Sequence, residues 1–134
     1  MSTVYATRKF TFSAGHRYWR ADWPAEENAR VFGHLTVVHG HNYVLEVTVR
    51  GPIDEHTGMV MDLAELKRLV GETVVSRFDH ADLNQDALFV TGSIPTTENL
   101  VKGIWDLLVP KLGAERLSRL RLWEDPTFYV EYYG

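Results

Sequence analysis

HGHNYVLEVTVR, residues 39–50, decides the fold. The run from Tyr43 to Val49 alternates with the period of a β-strand, so His39, His41, Tyr43, Leu45, Val47 and Val49 share one face. The two imidazoles therefore stand side by side where the strand begins. An earlier run, Thr3 to Ala14, alternates in the same way: Val4, Ala6, Arg8, Phe10, Phe12 and Ala14 lie on one face, and His16 closes the series. If the two runs pair as antiparallel neighbours, the end of the first lies beside the start of the second, and His16 meets His39 and His41. Three neutral imidazoles with a fourth position left open are the ligand set of a catalytic zinc ion. Each histidine alone reads as a hydrogen-bonded core residue; the His-x-His spacing together with a third ring favours the metal.

At 134 residues, with 45% hydrophobic and 24% charged side chains, the chain is expected to fold as one domain, 1–134. A net charge of −4 argues against a basic face for nucleic acid, yet local cations remain to hold an anionic small molecule. Cysteine is absent, which removes disulfides, thiolate ligands and thiol nucleophiles. Residues 1–16 lack the continuous apolar core of a signal peptide, and no stretch approaches the ~20 apolar residues of a membrane helix. A cytoplasmic protein without membrane contact is the expectation.

Residues 17–38 link the two strands, with Pro24 opening two helical turns to Phe32 and with Tyr18, Trp19 and Trp23 either packing the connection down, the stronger reading, or lining a pocket. Gly51-Pro52 ends the second strand, and His56 falls in the solvated turn beyond it. Asp62-Leu63-Ala64-Glu65 has the form of a capping box, followed by a stripe of Leu63, Leu66, Val70 and Val74 reaching about Arg77. Residues 78–93 are irregular. A second helix opens at Pro95-Thr96-Thr97-Glu98, buries Leu100, Ile104 and Leu108, and is expected to kink or stop at Pro110. Two strands, 117–124 and 127–133, finish the chain. The order ββααββ predicts an α+β architecture: a four-stranded antiparallel sheet with two helices on one face. With apolar or aromatic residues such as Tyr5, Val44, Phe128, Tyr129, Val130 and Tyr133 on both sides of the strands, the uncovered face calls for a partner subunit.

FSAGH (12–16), HGHNY (39–43), GMVMDLAELK (58–67), FDHADLN (78–84), PTTENL (95–100) and WEDP (123–126) follow one another as in the 6-pyruvoyl and 6-carboxytetrahydropterin synthases, which the chain resembles over nearly its whole length. The resemblance implies a tunnelling fold, in which sheets from three subunits close a β-barrel and two trimers stack into a homohexamer with active sites at the interfaces. It implies that His16, His39 and His41 hold zinc, that Asp79 and His80 form a proton-transfer pair, and that Glu124 anchors a pterin through paired hydrogen bonds. Thr96 and Thr97 assist in holding the ring, although capping the helix has a stronger claim on either. The substrate so implied is 7,8-dihydroneopterin triphosphate, and the reaction is loss of triphosphate with side-chain rearrangement or carbon–carbon cleavage. Zinc is the cofactor the resemblance implies; the reaction needs no nicotinamide, and the chain has no glycine-rich dinucleotide fingerprint.

The chain departs from that pattern in one respect. The family's usual general base is a cysteine in the loop before the HGH motif, and here Phe32-Gly33-His34-Leu35-Thr36-Val37-Val38 runs directly into His39. His34 is the nearest residue able to take a proton near neutral pH, with Glu26 and Glu27 as further candidates. Three outcomes follow: the family reaction with a substitute base, diversion to a 6-hydroxymethyl product, or a zinc- and pterin-binding oligomer without catalysis.

Overall fold

The computed structural model describes residues 2–134. Its spine is the antiparallel pair of β1 (Val4–His16) and β2 (His39–Gly51), in unbroken register from Val4 opposite Gly51 to His16 opposite His39. β3 (Ala81–Asp82) lies along the outer edge of β1, β4 (Leu117–Asp125) pairs with the other edge of β2, and β5 (Phe128–Tyr132) returns along β4. The helices are α1 (Ala25–Phe32), then α2 (Leu63–Val70), which passes through a π turn at Gly71–Val75 into α3 (Ser76–Phe78), and finally α4 (Thr97–Leu112).

Among the described residues the sheet is five-stranded and mixed, in the order β3-β1-β2-β4-β5, so the expected four-stranded antiparallel sheet is corrected. The additional strand, β3 (Ala81–Asp82), is two residues long and runs parallel to Ala14–Gly15. It is placed by Asp79, whose carboxylate accepts the Ser13 N–H at 2.9 Å, and by His80, whose φ of +62° turns the chain along β1. Two residues show no alternation, so nothing in the sequence marked them as a strand. α1 bears out the helical turns expected after Pro24 and makes a third helical segment beside the two that cover the sheet.

The periodicities produce the core directly. Phe10, Phe12, Tyr43, Leu45, Val47, Leu120 and Leu122 form the sheet's inner face and pack against Leu66, Val70, Val74 and Phe78 of the α2–α3 rod and Leu100, Ile104 and Leu108 of α4. Burying each such side chain is worth roughly 1.5–3 kcal/mol. Leu63, expected in the stripe, is 45% exposed because α2 begins there, before the rod reaches the sheet. Asp62 caps α2 through the Ala64 N–H, whereas Glu65 does not reach back and pairs instead with Arg68. α4 continues past Pro110 to Leu112, held in its last turn by the burial of Leu108 and Leu112.

The sheet's other face is a polar ladder more than an apolar one. Glu46, 7% exposed, accepts the Trp123 indole N–H at 2.7 Å and faces Arg119, while Glu131 accepts from Arg119 and Arg121 and Thr7 bonds Thr48. Tyr5 and Tyr129 flank this ladder in the open, and Val130 packs toward the core. No helix among the described residues is long and apolar enough to cross a membrane.

Candidate functional site

The β1–β2 register sets His16 directly opposite His39 and places His41 opposite Ala14. The three rings meet with centroids 4.5 Å (His16–His39), 5.1 Å (His16–His41) and 5.1 Å (His39–His41) apart. One ligand nitrogen from each lies within 4.8 Å of the others, as strand pairing predicted.

Their hydrogen bonds fix which nitrogen faces inward. His16 Nδ1 lies 2.7 Å from the Pro95 carbonyl and His39 Nδ1 lies 2.8 Å from the Val37 carbonyl. A carbonyl only accepts, so each Nδ1 carries the hydrogen, which in the neutral ring leaves the lone pair on Nε2. His16 Nε2 and His41 Nε2 are buried without a hydrogen-bond partner among the described residues, an arrangement that costs free energy unless something binds there. His16 is fully buried, and that burial holds its pKa below the ordinary 6.5. Three imidazoles, two of them with the outer nitrogen anchored on a carbonyl, are a donor set a divalent transition metal takes, and the site fits such an ion.

Beside the rings stands Glu124, near the end of β4. Its Oε1 is 3.7 Å from His41 Nε2 and accepts a 2.8 Å hydrogen bond from the Thr97 hydroxyl. Thr96, by contrast, caps α4, accepting the Asn99 N–H at 3.0 Å, so the neighbouring threonines divide the work. Burial, with the Glu124 charge nearby, raises the Tyr18 phenol to about 12 and raises Tyr43 as well. The Tyr18 ring stands edge-on to His16 at 5.3 Å. In the sequence Tyr18 reads as packing more than as pocket lining, and Tyr43 as one more residue of the strand's inner face; two-residue spacing from His16 and His41 is the further signal that ties them to the site.

Asp79 and His80 are not among the three rings. They sit at the outer edge of β1, with His80 Nδ1 3.1 Å from Asp79 Oδ2 and the His80 side chain 84% exposed. The Ser13 N–H, helped by His80, keeps the Asp79 carboxyl below the usual carboxylate range. A groove of about 360 Å³ runs between His80–Ala81 and Gly40–Asn42, over Ser13–Gly15. Along it Gly40 lies close to β1: a Cβ there would come within 3.3 Å of the Ala14 carbonyl oxygen. His34 is exposed on the turn Gly33–Thr36, and its ring makes no hydrogen bond among the described residues. Glu27 pairs with Arg30, and Glu26 is exposed in the first turn of α1.

The chain is a two-layer α+β domain that gathers three imidazoles able to hold a metal ion beside a held carboxylate. The chain belongs to the 6-pyruvoyl tetrahydropterin synthase family, an enzyme family whose sequence model matches residues 5–134. It is 39% identical over 132 residues to the 6-pyruvoyl tetrahydrobiopterin synthase of Dictyostelium discoideum, covering 98% of this chain and 97% of that one. A putative 6-carboxy-5,6,7,8-tetrahydropterin synthase of Archaeoglobus fulgidus is 40% identical over 94 residues, covering 70% of this chain and 74% of that one. Among solved structures, the Caenorhabditis elegans 6-pyruvoyl tetrahydropterin synthase superposes with a TM-score of 0.92 at 32% identity, over 100% of this chain and 97% of that one.

Proposed function

We propose that this chain is a zinc-dependent lyase that eliminates triphosphate from 7,8-dihydroneopterin triphosphate. The observation that carries the reading is the convergence of His16, His39 and His41, two of them with buried, unpartnered Nε2 atoms, beside the Thr97-held Glu124. Family membership and the names of the relatives agree with it. The three imidazoles would hold zinc, which when bound supplies a Lewis acid for a substrate hydroxyl. Glu124 accepts two parallel hydrogen bonds from the amidine-like N–H groups of the pterin ring, and Thr97 keeps the carboxylate aimed. His80, oriented by Asp79, carries a proton to or from the side chain being rearranged.

In place of the family cysteine, His34 is the candidate proton acceptor. What supports this is the tie between its turn and the segment that follows His16, where the next residue, Leu35, accepts the Tyr18 N–H at 2.7 Å. The missing cysteine also supports a second reading, in which the side chain is cleaved to a 6-hydroxymethyl product.

A homohexamer built as a dimer of trimers fits the two outer edges of the sheet, β5 on one side and the stretch of β1 beyond β3 on the other, which close a barrel when copies join. The outward-turned His80 then finds cover at a subunit interface.

The test is to supply zinc-loaded protein with dihydroneopterin triphosphate and to measure inorganic triphosphate and the mass of the pterin product. Release above the no-enzyme rate supports the proposal, and the mass distinguishes pyruvoyl, carboxy and hydroxymethyl products. Release at the no-enzyme rate from metal-loaded oligomer makes the chain a binding protein. Loss of turnover in His34→Ala with zinc retained assigns the base, and unchanged turnover removes His34 from the mechanism.

A further inference from the structure

Tyr18 belongs to the long connection between β1 and β2, and the backbone around it is clamped at three points. The Asn84 side chain accepts the Arg17 N–H at 2.8 Å and donates to the Arg17 carbonyl at 3.0 Å. Tyr18 itself donates its N–H to Leu35. Asn28, fully buried, repeats the Asn84 arrangement on Arg20, accepting the N–H at 2.8 Å and donating to the carbonyl at 2.9 Å. The ring is wedged as tightly as the backbone. It stands edge-on to His16 at 5.3 Å and to Phe32 at 5.9 Å, and Phe32 is stacked on Trp23 at 5.7 Å.

Only the hydroxyl of Tyr18 is left over, without a hydrogen bond among the described residues. Unlike the Tyr43 hydroxyl, it is not sealed from solvent. A phenol held this firmly with its O–H free is preorganised as a donor. Glu124, a fixed acceptor, stands 3.7 Å from one of the same three imidazoles, His41.

We infer that Tyr18 donates a hydrogen bond to the ring carbonyl of the pterin, next to the N–H edge that Glu124 accepts, so that the two residues together read a lactam. This rests on the pterin reading proposed above. A heterocycle with a donor beside an acceptor satisfies both protein groups, and one without the carbonyl leaves the phenol unpaired.

The experiment uses the zinc-loaded full chain and two probes, 6-methylpterin and 2-amino-6-methylpteridine, which lacks the carbonyl and with it the adjoining ring N–H, a loss to Glu124 that is the same with and without the Tyr18 hydroxyl. Tyr18→Phe removes the hydroxyl and keeps the wedge. The expected result is a roughly tenfold weaker affinity for 6-methylpterin, with zinc content and melting temperature unchanged and no further loss for the carbonyl-free probe. Wild-type affinity of Tyr18→Phe for 6-methylpterin overturns the inference. So does an equal loss for both probes, or loss of zinc, since either makes the tyrosine a packing residue. Failure of the unsubstituted protein to bind 6-methylpterin is a separate result that overturns the pterin reading and this inference with it.

Discussion

Thr97 holds Glu124: the hydroxyl of the first residue of α4 donates to Oε1 of a carboxylate near the end of β4, at 2.8 Å, and that oxygen lies 3.7 Å from His41 Nε2. Helix and sheet are thereby joined at the site, by a threonine that is itself fully buried. Thr97→Val keeps the shape and deletes the donor. We expect pterin affinity to fall about five- to tenfold and stability to fall by about 1 kcal/mol, read by calorimetric titration and by denaturant unfolding. Thr96→Val removes only the cap, and so is expected to cost a similar amount of stability and little affinity.

His80 depends on Asp79 for its orientation, and Asp79 depends on the Ser13 N–H for its own. His80→Gln is expected to leave zinc content and pterin binding intact while lowering turnover by about 10²–10⁴-fold, the usual worth of a positioned proton carrier. Stopped-time product analysis under saturating substrate checks this. Unchanged turnover would take the pair out of the mechanism.

Metal-free protein should lose stability on mild acidification. Burial depresses the His16 pKa below 6.5, so between that depressed value and 6.5 the unfolded chain binds a proton that the folded chain does not. Stability is then complete above pH 6.5 and declines as pH falls below it. Melting temperatures of chelator-treated protein across pH 8 to 5 test this. Added zinc should raise the whole curve, more at the alkaline end, because metal and protons compete for the same nitrogens.

Arg77 and Asp86 brace the segment that carries the Asp79–His80 pair. The guanidinium donates two hydrogen bonds, at 3.0 and 2.8 Å, and holds the Asp86 carboxyl below its ordinary 3.8. A depressed carboxylate contributes stability above the unfolded value of 3.8 and loses it as pH falls through the folded value. Asp86→Asn should therefore be less stable than the parent at neutral pH and converge with it well below 3.8, as seen in urea unfolding at a series of pH values.

Local periodicity made much of this molecule legible. Alternation in residues 4–16 and 39–50 placed both strands, and their pairing brought three distant histidines together. The features that stayed hidden depend on contacts that leave no pattern in the chain. β3 exists because Asp79 and His80 bond Ser13, not because Ala81-Asp82 has strand character. The Thr97–Glu124 bond joins residues 27 apart in sequence, and either one alone reads as a helix start or a solvated strand end. The polar ladder of Glu46, Arg119, Arg121 and Glu131 was equally hidden, because charges facing away from the core look like ordinary solvated side chains until their registers are known.

The most direct test of the account is X-ray absorption at the zinc edge of the loaded protein, together with metal analysis. One zinc per chain is predicted, bound by three imidazole nitrogens and one oxygen at about 2.0–2.1 Å, with the imidazole signal reduced in His39→Ala. Zinc held by fewer than three imidazoles, or an identical spectrum after loss of His39, would contradict it.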